Sequence, residues 1–181
     1  MYSIDELPLQ DLQNFWSLLY MDFCRKICTD HPAEGETVIR RAIAETGRRQ
    51  GEWQRQEHEQ MGLNTNLHSF FLDGRGAVCD PRSAAAVHTR NTEVCLWDRY
   101  ICPMANYWAA HSAEAYGRFY CEEYMRAFLS GYTGGKGQFH LSKVLTDKRD
   151  ILCQFAAYFR PANLELEQRR KAFESTPVRQ E

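Results

Sequence analysis

No apolar run in this 181-residue chain is long enough to cross a bilayer. No basic-then-apolar leader opens it, and no CxxC pair occurs. The GxxxxGK[ST] phosphate loop is missing, as is the HExxH metal motif. Internal repeats and low-complexity tracts are absent too. These gaps argue against an integral membrane protein, a disulfide-stapled secreted fold, a P-loop nucleotidase and a zincin. Net charge is only −2, without the basic excess that nucleic acid or an anionic membrane surface attracts.

What is present suits a globular protein. Hydrophobic residues make up 44% of the chain and aromatic ones 13%, enough for a real core in one domain. Seven cysteines, an odd number, read as reduced thiols, so a cytoplasmic location is expected. Cys24 and Cys28 stand one helical turn apart, but no second pair matches them, and no metal or cofactor is expected. His31 reads as a turn residue.

The spacing predicts a first helix from an Asp11 N-cap to about Thr29. Leu12, Phe15, Trp16, Leu19, Phe23 and Ile27 recur at three and four, which predicts a core-facing stripe. So aromatic a helix fits a core element or a homo-oligomer contact equally well. A second helix begins near Glu34 or Glu36 and weakens at Gly47 and Gly51. Its arginines Arg48, Arg49 and Arg55 alternate with glutamates, which fits either a solvated ion-paired face or a bidentate carboxylate grip. Residues 67–72 form a short apolar run of no decisive period, and Gly74–Gly76 and Asp80-Pro81 read as turn and loop. From about Ala86 to Tyr100 the chain reads as strand, with Val94, Leu96 and Asp98 facing one way and Cys95 and Trp97 the other.

The most informative stretch runs from Cys102 to Tyr132. Pro103 suits a first helical turn and Gly131 a last one, so a helix of about eight turns is predicted. On it Tyr107, His111, Glu114, Arg118, Cys121 and Met125 share a stripe, flanked by Trp108, Tyr116, Phe119 and Tyr120. Such a stripe fits either a solvated face or the wall of a polar pocket. A closing antiparallel hairpin follows, with Thr146–Asp150 as its turn. In its second strand Ile151, Cys153, Phe155, Ala157 and Phe159 share a face. Beyond Pro161 the tail is charged, with one helix expected after Asn163. The expected fold class is α+β: N-terminal helices and a long central helix packed on a small antiparallel sheet that ends in a C-terminal hairpin. One domain spans 1–160, and 161–181 is the tail.

Four features occur in the order seen in the L-2-amino-thiazoline-4-carboxylic acid hydrolase family. They are Gly47-Arg48-Arg49-Gln50-Gly51 with Arg55, Cys102-Pro103 opening a helix, Tyr120-Cys121 with Gly131-Tyr132 ten residues on, and a closing hairpin bearing Asp147, Asp150 and Cys153-Gln154-Phe155. Over about residues 35–160 the chain resembles that family. It departs in the closing turn, where a Gly-Asp pair is usual, and after Cys121, where Glu122-Glu123 stand in place of an aspartate.

The resemblance implies hydrolysis of a small cyclic amidine derived from an amino acid, with N-carbamoyl-L-cysteine as product. That chemistry needs a nucleophile, a proton donor and a cation for the carboxylate. The implied catalytic candidates are Cys121, His111, Glu114 and Cys102, where Cys102 has a helix N-terminus to lower its pKa. The substrate-binding candidates are Arg118, Arg48, Arg49, Arg55, Trp108, Tyr107 and Cys153. Each has a plain structural alternative: a core thiol, a Glu114–Arg118 helix ion pair, a core aromatic. A related ring-opening, ring-closing or tailoring enzyme and a noncatalytic small-molecule-binding module are the other two readings.

Overall fold

The computed structural model describes residues 7–73 and 83–160, with side chains from Asp11 onward. The readings at Gly74–Gly76, at Asp80-Pro81 and after Asn163 lie outside the described residues. Helices α1 (Leu7–Asp30), α2 (Gly35–Gln60) and α3 (Leu67–Leu72) come first, followed by strands β1 (Ala84–Arg90) and β2 (Val94–Ile101). Helices α4 (Pro103–Ala110) and α5 (Glu114–Tyr132) precede strands β3 (Gln138–Lys143) and β4 (Cys153–Tyr158). The sheet is wholly antiparallel in the order β1-β2-β4-β3, so the fold is α+β with β3 and β4 paired.

Strand alternation decides which face is core. Cys95 pairs with Ala157 and Trp97 with Phe155 on the buried face. Leu96 and Asp98, opposite Ala156 and Gln154, point the other way, as the alternation predicts. Phe70 of α3 and Phe128, Leu129 and Tyr132 of α5 cover the buried face. The sheet is therefore roofed by α3 and α5 rather than by the two N-terminal helices. Helix α2 lies along α5, and α1 meets α2, α4 and α5.

The α2–α5 contact explains the glycines. A methyl at Gly47 would stand 2.6 Å from the Tyr124 carbonyl oxygen. One at Gly51 would overlap the Phe128 carbonyl, and one at Gly131 the Arg48 carbonyl. Two helix backbones touch here, and only hydrogen fits between them. The expected weakening of α2 at these glycines does not occur: the helix runs unbroken to Gln60.

The central helix needs a larger correction. It is two helices, broken at His111–Ala113. The Ser112 amide donates to the Ala109 carbonyl at 3.2 Å and the Ala113 amide to the Trp108 carbonyl at 2.8 Å. This is a Schellman cap, with Ser112 at φ 52° where glycine is usual. Ala113 and Trp108 pack together beneath it. With no glycine or proline at 110–113, nothing local marks the break.

Smaller corrections follow. Helix α1 starts at Leu7, before the expected Asp11 cap. Its buried face carries Ser17, Met21 and Cys24, while Leu12, Phe15, Leu19 and Phe23 are exposed. The long strand expected over 86–100 is a hairpin, turned at Asn91, whose Oδ1 accepts from the amides of Glu93 and Val94. Residues 67–72 are helical, capped by Asn66 Oδ1 accepting from the Ser69 amide at 2.9 Å. Ile151 lies outside β4 and is exposed.

Candidate functional site

Three thiols from three separate elements lie within electrostatic reach of one another. Cys102 is the N-cap residue of α4, Cys121 sits on α5, and Cys153 opens β4. Burial pushes the Cys121 thiol far above its ordinary range, and the neighbouring thiols of Cys102 and Cys153 add to the rise. The Thr146 hydroxyl and Arg99 partly offset it. Cys153 is pushed up to about 11 by burial, against a hydrogen bond its Sγ accepts from the Leu145 amide at 3.2 Å. Cys102 is half-buried, and its side chain caps nothing.

Arg99 completes the cluster. It pairs with Cys153 across β2 and β4, on the same face as Cys95 and Trp97. Its Nε is buried without a hydrogen-bond partner, and its charge acts on both Cys121 and Cys153. Thr146 is the second polar group here, 4% exposed, and its Oγ1 lacks a close hydrogen-bond partner. Gly117, one turn before Cys121, makes the room: a methyl there would press on the Trp108 ring and on the Thr146 methyl. Sequence reasoning missed Arg99 and Thr146. Strand parity from Trp97 would have turned Arg99 inward; no local signal marks Thr146.

The remaining candidates lie elsewhere. His111 caps α4 in an exposed position, stacks on Tyr107 and donates from Nδ1 to the Tyr107 carbonyl at 2.8 Å. The stripe linking it to Cys121 required the unbroken helix and is lost with it. Glu114 opens α5 and pairs with Lys148 at 3.2 Å. Its carboxyl is held below the ordinary range by its own backbone amide and then by Lys148. Trp108 is fully buried, with Nε1 donating to the Ser17 carbonyl at 3.1 Å, and is a core residue. On α2, Arg48 pairs with Glu52 at 2.8 Å, Arg49 is exposed, and Arg55 reaches Glu59 at 3.6 Å.

Arg118 belongs to an ionic lattice joining three elements. It donates to Glu122 at 2.6 Å and reaches Asp147 at 3.4 Å, while Arg40 of α2 holds Glu122 at 2.7 Å and Arg149 holds Asp147 at 2.7 Å. Arg149, together with Arg118, keeps the Asp147 carboxyl well below the usual range. Arg118, Glu122, Asp147 and Arg149 line a cavity of about 400 Å³ between α5, β3 and the β3–β4 loop. Every cation that anchors this lattice has a carboxylate partner; Arg99 has none among the described residues.

Among the described residues no three His, Cys, Asp or Glu side chains are arranged to hold a metal ion. No described helix is long and apolar enough to cross a membrane. Compared with known proteins, the chain matches no protein-family model and no curated protein.

Proposed function

We propose that the chain is a thiol-dependent hydrolase of a small, carboxylate-bearing cyclic amidine of the 2-amino-thiazoline-4-carboxylate type. One observation carries this reading: a guanidinium without a carboxylate partner among the described residues, Arg99, whose charge acts on the Cys121 and Cys153 thiols on the buried side of the sheet. A partly buried cation lacking an anion favours an anionic ligand, and guanidinium geometry matches a carboxylate.

In this reading Arg99 holds the substrate carboxylate. Cys102 is the attacking thiol: it is partly exposed at the N-cap of α4, and its side chain makes no capping hydrogen bond. Its sulfur adds to the amidine carbon and its proton passes to the ring nitrogen. The ring carbon–sulfur bond then breaks, and Cys121, which keeps its proton at neutral pH, supplies one to the departing sulfur. Water next adds to the Cys102-bound carbon, expels the thiol and leaves a carbamoyl group, while a proton returns to Cys121. The sum consumes one water.

The test is turnover of L-2-amino-thiazoline-4-carboxylate, read by mass spectrometry as N-carbamoyl-cysteine. Arg99→Met is expected to raise KM by roughly 30-fold or more, as loss of one partner of a desolvated charge pair does. Cys102→Ser is expected to abolish turnover while leaving substrate binding intact. Wild-type protein that binds the substrate through Arg99 without turning it over is a binding module instead, a reading that the high thiol pKa values favour. An Arg99→Met variant with unchanged KM sinks the assignment.

A further inference from the structure

We infer that the outward stripe of α1 is a docking surface for a second copy of this chain, packed antiparallel to make a two-fold dimer. Helix α1 is apolar on two opposite sides. Met21 and Cys24 are buried in the protomer, whereas Leu12, Phe15, Leu19 and Phe23 are 64%, 61%, 41% and 59% exposed. Those four fall at the helical period on one stripe, with Trp16 along its edge. A stripe so continuous differs from the scattered apolar residues that any surface carries.

Area and charge select the occupant. The stripe exposes roughly 550 Å² per copy, given the size of these side chains, and the pair would bury about 1,100 Å², just past the threshold for a specific interface. A stripe pairing with itself across a two-fold axis needs no other partner. In an antiparallel pair Leu12 lies beside Phe23 of the other copy, and the two Leu19 residues meet near the axis. Asp11, beside the start of the stripe, then approaches Lys26 of the other copy, which continues the stripe one heptad beyond Leu19. Both residues are exposed, and Lys26 already reaches Asp30 in its own helix at 2.8 Å, so it would be shared. From Asp11 onward α1 carries three aspartates against one arginine and one lysine, a balance that disfavours an anionic membrane as the occupant.

Sedimentation velocity of the full chain from 1 to 50 µM tests this. A species of twice 21.1 kDa is expected for the wild type. Phe15→Glu with Phe23→Glu is expected to weaken the dimer by roughly a hundredfold or more, since each charge would be buried against its neighbour. Circular dichroism should be unchanged, because both side chains are exposed in the protomer. Asp11→Lys is expected to weaken the dimer by roughly three- to fivefold, and adding Lys26→Glu to restore it. A wild type that stays monomeric throughout overturns the inference, as does a dimer indifferent to Phe15→Glu with Phe23→Glu. Flotation with neutral or anionic vesicles by a monomeric wild type would overturn it in favour of a lipid surface.

Discussion

Side-chain environment separates thiols that look alike in the sequence. Cys153 is buried, bonded to the Leu145 amide and raised to about 11, so its thiolate fraction near neutrality is roughly a hundredth of an ordinary cysteine's. Cys121 is raised further still. Iodoacetamide at pH 8 is therefore expected to alkylate Cys102 well before either, by at least tenfold in a peptide map. Faster labelling of Cys121 would show that α5 opens more readily than its packing implies. Trp108 presents the opposite case, a residue on the candidate list that turns out to hold the core. It is fully buried, bonded to the Ser17 carbonyl and clustered with Met21 and Ala113. Trp108→Ala is expected to cost about 3–5 kcal/mol in urea unfolding, from lost packing and a cavity.

At the scale of elements, two backbone devices set the architecture. The first is the glycine seam between α2 and α5. Gly51→Ala forces a methyl against the Phe128 carbonyl; α5 cannot step back without dragging the sheet it covers, and α2 is tied by Gln54 donating to the Phe70 carbonyl and by the His58–Tyr132 hydrogen bond. A loss of about 3 kcal/mol is expected, at the upper end of overpacking penalties, and a loss under 1 kcal/mol would mean that the helices separate freely. The second is the left-handed turn at Ser112. Ser112→Gly removes the steric cost of φ 52° at a small cost in unfolded-chain entropy, so a gain of about 0.5–1 kcal/mol is expected in the same assay. The arginines between the α2 glycines are mere neighbours in sequence: Arg48 pairs with Glu52 on the helix exterior while its carbonyl abuts Gly131.

At the scale of the whole molecule, titration should bound stability on both sides. Asp147 is held low by Arg149. For Glu122, burial raises the carboxyl, but bonds from Arg118 and Arg40 outweigh it and leave it below the ordinary value. A carboxylate whose folded pKa is depressed stabilises above its unfolded pKa and loses that contribution as pH falls toward the folded one. Acid loss is therefore expected from about pH 4.5 downward. The buried thiols have the opposite sign. Cys24, Cys95 and Cys153 are raised to about 11 by burial, so their contribution is complete below the unfolded pKa and disappears as pH climbs from about 9 to 11. Thermal unfolding from pH 3 to 11 should show a plateau between these limbs. An alkaline limb that persists after Cys24, Cys95 and Cys153 are all replaced by alanine would assign it to other groups.

Strand content, strand facing and the α+β class were written in the sequence, because a period of two is a local property that neighbours two residues apart reveal. Cys95 and Trp97 turn inward and Leu96 outward on that rule alone, and the same rule reaches Arg99. The amphipathic face of α1 misled, since apolar residues line two sides of that helix and only the position of α2, α4 and α5 decides which side is covered. The break at Ser112 was equally hidden: its cap is made by carbonyls and by Trp108 packing, with no glycine or proline to announce it. That break removes His111 from the thiols. The encounter of Cys102, Cys121, Cys153 and Arg99 joins residues from three stretches of chain, and such proximity exists only once the sheet and α5 have packed.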